Sequence, residues 1–163
     1  MSAASAPRSL LLPDVPGLAE RFQAAGVLEL LSQEGAESAY AQAYYLTQQR
    51  QYLPASRLFA LLSVFRPYEL RVWQGLALCA RELKAYDDAV RALKRYLELA
   101  PQAHEFSFAV ADCLCLNGQR DQAIDWLESL AATARKQGAQ DLFDRARHVI
   151  ARLQGAAHAQ PQH

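Results

Sequence analysis

A spacing of 34 residues recurs through the middle of this chain, three times over and without an insertion. Ala43, Ala77 and Ala111 keep it, as do Ala55, Ala89 and Ala123. Phe59, Leu93 and Leu127 take the same step, and so do the pairs Tyr52 and Tyr86, Pro67 and Pro101. A fixed period of this length means that each unit is one supersecondary piece, which buries its apolar side by stacking on its neighbours. The frames are residues 36–69, 70–103 and 104–137.

Each frame divides into two helical stripes. In the second unit Trp73, Leu76, Ala77 and Ala80 lie on one face of a first helix, and Ala89, Leu93 and Tyr96 lie on one face of the next. Two helices approach closely only where the crossing residues are small, which the alanines at the eighth and twentieth places supply. The pattern is that of the tetratricopeptide repeat, and the expected fold is all-α: three helix–turn–helix units in tandem. Tyr52 and Tyr86 are placed to cover the turn before each second helix, and Pro54 falls in a first turn, where a missing N–H is harmless. Asp87 and Asp121 are expected to open their helices as caps and dipole partners. Pro67 and Pro101 stop the second helices. Arg135 replaces that proline in the third unit, where the array ends.

Residues 1–16 are rich in Ser, Ala and Pro and read as a mobile segment. Residues 17–35 carry Leu18, Phe22, Val27, Leu28, Leu30 and Leu31 at helical spacings. They are expected to form short helices, either capping the stack or serving as an arm for self-association. Residues 138–154 form a C-terminal capping helix with Leu142, Ala146, Val149, Ile150 and Leu153 inward; Asp141 with Arg145 and Asp144 with His148 make i,i+4 pairs outside. Residues 155–163 read as a frayed tail.

Lys plus Arg and Asp plus Glu number 17 each, so the chain has no overall bias toward nucleic acid or anionic membrane. The early apolar run Leu10–Leu12 is broken by Pro13, so neither a signal peptide nor a membrane span is expected. Three cysteines without framework spacing suit a reducing, cytosolic compartment. Cys79 and Cys113 stand one period apart, which marks a packing position. Cys113 and Cys115 diverge on their helix and cannot make a metal site alone. The four histidines are scattered, and no nucleophile cluster or phosphate-binding loop is present. The expectation is a non-enzymatic protein without cofactor or metal.

Binding is left to the wall lined by the first helices. Its inward places hold Glu37, Tyr40, Tyr44, Thr47 and Gln48 in the first unit, and Arg71, Gln74, Leu78, Arg81 and Glu82 in the second. The third contributes Glu105, Phe108, Asp112, Cys115 and Leu116, and Tyr68 lies between the first two units. The core stripes are complete without Tyr40, Tyr44 and Phe108, so these rings are expected to serve a ligand groove. An extended peptide fits such a wall. Each buried anchor would contribute about 1.5–3 kcal/mol, against about 1–2 kcal/mol for ordering each backbone residue. Further affinity is expected from main-chain hydrogen bonds to Gln48, Arg71, Gln74 or Arg81. Tyr40, Tyr44, Gly75, Glu105 and Ala109 occupy the places where carboxylate-clamping repeats have basic or amide groups, so a C-terminal carboxylate is not the expected ligand.

The stretch Phe108-Ala-Val-Ala-Asp-Cys-Leu114, with Gly118 after it, resembles the third repeat of the class II chaperones of type III secretion. Arg71-Val-Trp-Gln-Gly-Leu-Ala-Leu-Cys79, followed by Tyr86 and Ala89, is similar to their second repeat, and Tyr40, Tyr44 and Tyr52 match the first. The resemblance implies a bacterial cytosolic chaperone that keeps hydrophobic translocator proteins soluble. It would hold a P-x-L-x-x-P-like segment in the groove and form a homodimer through its N-terminal helices. Carried over by position, Tyr40, Tyr44, Tyr68, Arg71, Phe108 and Asp112 are the groove candidates. Thr47, Leu78 and Ala77 depart from the family pattern. The competing reading is an assembly scaffold or regulatory adaptor that binds a folded partner on the outer helices.

Overall fold

The computed structural model of the protein describes residues 32–158. It contains seven α-helices in this range: α1 Gln33–Gln48, α2 Tyr52–Phe65, α3 Leu70–Glu82, α4 Tyr86–Leu99, α5 His104–Leu116, α6 Arg120–Lys136 and α7 Gln140–His158. The second helices begin at residues 52, 86 and 120, so the period seen in the sequence is the period of the helix pairs. The expected N-terminal helices lie outside the described residues, except that 33–35 already belong to α1. Ser32 caps that helix, its hydroxyl accepting from the Gly35 N–H at 3.1 Å.

The chain divides into two compact units, one ending at Leu99 and the other starting at Ala100. In the first, α1 packs on α2, α2 on α3 and α3 on α4; in the second, α5 packs on α6 and α6 on α7. All six alanines of the eighth and twentieth places are buried, which lets each helix pair cross closely. Leu62, Val72, Leu76 and Cys79 complete the core of the first unit; Val110, Cys113, Leu127 and Ile150 complete that of the second.

Each first helix ends in the same way. Arg50, Lys84 and Gly118, the fifteenth residues of their repeats, have φ near +60° to +77°. The following N–H reaches back to a carbonyl five residues earlier: Gln51 to Leu46, Ala85 to Ala80, Gln119 to Leu114. This is the Schellman arrangement, which satisfies helix-end carbonyls and turns the chain toward its partner.

Two local expectations are corrected. Asp121 sits inside the first turn of α6, whose N-cap is Gln119 without a side-chain bond. It therefore acts through the helix dipole and not as a cap. Helix α7 continues through Gly155 to His158, because one glycine near a helix end costs too little to stop it.

Candidate functional site

The inward places of α1 and α3, Thr47 excepted, form one face of the first unit. The two helices are tied side by side near both ends. At their N-terminal ends Arg71 pairs with Glu37, the residue one period earlier, and with Glu69. Near their C-terminal ends Thr47 Oγ1 lies 3.8 Å from Cys79 Sγ. The first tie joins residues 34 apart and the second residues 32 apart, and the inward places between them read Tyr40, Tyr44, Gln74 and Leu78.

Tyr40 is half-buried. The Arg71 guanidinium lies over its ring, 4.2 Å from the centroid. Phe59 meets it edge-on at 5.9 Å and 69°. Burial pushes the Tyr40 phenol above its usual range, and the Arg71 charge partly offsets that. Tyr44, one turn on, is 54% exposed, and Leu78 on the facing helix is 38% exposed. Gln48, Gln74 and Arg81 are also exposed, and Arg81 pairs with Glu82 at 3.4 Å. Tyr68 stands 78% exposed just before α3. The face is thus an apolar centre, Tyr40–Tyr44–Leu78, with an ion pair at either end.

Thr47 does not belong to this face. It is buried, its hydroxyl donating to the Ala43 carbonyl at 2.9 Å. Its β-carbon sits on the packing side of α1, where the contact with Cys79 holds it. Burial in turn pushes the Cys79 thiol above its usual range.

In the second unit the expectation for Phe108 is corrected. Phe108 is only 8% exposed, and the Arg145 guanidinium of α7 covers its ring at 4.3 Å. Arg145 lies there instead of reaching back to Asp141, while Asp144 accepts from Gln140 at 2.9 Å. Phe108 is therefore a packing residue. Asp112 and Leu116 are exposed and Cys115 is partly so. Burial first, then the Asp112 charge, raises the Cys115 thiol above its usual range, against the lowering influence of Arg120. The other two cysteines are buried thiols. Among the described residues no group of three or more His, Cys, Asp or Glu could hold a metal ion, and no helix is long and apolar enough to cross a membrane.

Two contributors are not visible in the sequence pattern. Glu69 is the second carboxylate on Arg71, a local contact that no stripe rule points to. Phe59 reads only as core, yet it supports Tyr40 from behind. The opposite charges of Glu37 and Arg71, one period apart, are the available signal for their pairing.

The helix-hairpin array is a tetratricopeptide-repeat fold, and the family model for the tetratricopeptide repeat matches residues 80–142. No curated protein matches the sequence. Among solved structures the chain is similar to PcrH from Pseudomonas aeruginosa, with 26% identity over 76% of this chain and 95% of that one, at a TM-score of 0.58. It is also similar to PcrH in complex with the chaperone-binding region of PopD, with 25% identity over 78% and 96% and a TM-score of 0.61. An alternative dimer of the translocator chaperone SycD from Yersinia enterocolitica shares the fold, at 23% identity over 78% and 97% with a TM-score of 0.60. The chain is therefore similar, over more than three quarters of its length, to translocator chaperones of type III secretion.

Proposed function

We propose that this protein is a chaperone of type III secretion, which binds a hydrophobic translocator protein and keeps it soluble before export. The observation that carries the reading is the exposed apolar row Tyr40–Tyr44–Leu78 on α1 and α3, in a chain similar to a chaperone solved with a segment of PopD. The core of the first unit is closed without Tyr44 and Leu78, so their exposed area has no partner within that unit.

The guest is an extended segment of P-x-L-x-x-P-like pattern laid over Tyr40, Tyr44 and Leu78. Its main chain is within the reach of Gln48, Gln74 and Arg81. Tyr68 adds an exposed ring just before α3, and Asp112 and Cys115 are among the polar groups that the second unit offers on its own first helix. Acting by sequestration, the protein works in the bacterial cytosol. Self-association through the residues before Ser32 is part of the same reading, and SycD dimers are its precedent.

Co-expression with the translocators of one secretion system tests the proposal. Soluble retention of a translocator by the wild-type chain, lost on Tyr40→Ala plus Tyr44→Ala, is the expected result. Retention that survives the double substitution would remove this face from the function.

One observation favours the adaptor reading. Leu53 and Leu61 are exposed on α2, where the equivalent places of α4 are Asp87 and Arg95. If Leu53→Lys plus Leu61→Lys abolishes partner capture while the tyrosine substitutions do not, the outer helix is the binding surface.

A further inference from the structure

We propose that Arg71 is a positioning residue, which serves the guest by holding the Tyr40 ring in place and not by bonding the guest itself. The inference rests on the peptide-binding reading above and concerns how that face keeps its shape. Tyr40 is held from two sides. The Arg71 guanidinium lies over the ring face at 4.2 Å. The Phe59 ring meets its edge at 5.9 Å.

Neither support is itself free. Arg71 commits Nε to Glu69 and Nη2 to Glu37. The plane of the guanidinium is thereby fixed by two carboxylates, one at the start of α1 and one just before α3. Phe59 is buried at 2% exposure and rests on Gly75, where even a methyl group would stand 2.4 Å from the ring. A guanidinium fixed by two carboxylates can stack on an aromatic face as an ammonium cannot. Such a ring meets its guest without losing rotamer freedom on binding, which is how preorganisation raises affinity. The arrangement occurs once in the array, because the places equivalent to Arg71 hold Glu37 and Glu105.

The test uses the full chain with 3-fluorotyrosine at position 40, and a labelled peptide of the PopD chaperone-binding region as probe. Arg71→Met is expected to move the fluorine resonance toward that of free tyrosine. It should weaken the peptide about five- to tenfold, consistent with a partly desolvated cation–π contact. In a Tyr40→Ala background the same substitution should cost nothing more. Arg71→Lys, which keeps the charge but not the plane, should recover only part of the affinity. Helical circular dichroism of each variant separates these effects from misfolding. Equal losses in the Tyr40 and Tyr40→Ala backgrounds, or an unmoved fluorine resonance in Arg71→Met, would overturn the proposal. Failure of the wild type to bind the PopD peptide would count against the peptide-binding reading instead, and the fluorine spectrum would still decide the role of Arg71.

Discussion

The Phe59 ring rests directly on the bare α-carbon of Gly75: a β-carbon built there would lie 2.4 Å from Cζ and 2.5 Å from Cε1. That approach brings α2 against α3 and sets the depth at which Phe59 meets Tyr40. Gly75→Ala is expected to destabilise the first unit by about 1–3 kcal/mol through overpacking, read from urea unfolding midpoints. Phe59→Leu in the same chain should recover part of that loss, because the methyl then has space. A Gly75→Ala chain as stable as the wild type would mean that Phe59 yields without cost.

Tyr44 and Leu78 are exposed, so their removal should weaken guest binding and leave the fold alone. Truncating either to alanine is expected to cost on the order of 1.5 kcal/mol of guest affinity, about tenfold, with stability changed by less than about 0.5 kcal/mol. Titration calorimetry with a translocator segment, beside a thermal melt, separates the two. Lost stability with unchanged affinity would place these residues in the core.

Phe108 should behave in the opposite way. Phe108→Ala is expected to cost about 3–5 kcal/mol of stability, as large-to-small changes at buried aromatics do. Arg145→Ala should cost about 0.5–1 kcal/mol for the loss of its place over the ring. A Phe108→Ala chain of normal stability that no longer bound a guest would restore the ring to the binding surface.

The Glu37–Arg71 pair carries a pH signature. The hydrogen bond from Arg71 holds the Glu37 carboxyl below its ordinary range, so the folded state favours the charged form. The stability this adds is present above the ordinary glutamate range and disappears as pH falls through the lower folded value. Urea midpoints of the wild type and Glu37→Gln should therefore converge in acid. A gap between them that widened in acid would contradict the pairing.

The periodic part of this architecture is legible from spacing alone. Alanines at two fixed places, prolines after the second helices and apolar stripes at helical intervals state a local geometry, and the helices begin where that geometry puts them. The tenth place shows how far such reasoning reaches: Cys79 and Cys113 are buried there as expected, while Tyr45 at the same place is 58% exposed. The binding face is legible only in outline. A stripe rule gives the direction in which a side chain leaves its helix, which is enough for Tyr44, Leu78 and Gln74. It does not say what arrives from another helix. Phe108 is covered because Arg145 comes from α7, and Thr47 is lost to the contact with Cys79. Arg71, expected as a donor for the guest, also gives Nε to Glu69 and Nη2 to Glu37. Each of these depends on a partner brought in by the packing.

Photo-crosslinking in cells reads the face most directly. Benzoylphenylalanine placed at position 44 or 78, in cells that co-express the translocators, should give a covalent adduct with a translocator, whereas the same group at Arg57 on the outer side of α2 should not. Adducts from position 57 with none from 44 or 78 would contradict the account.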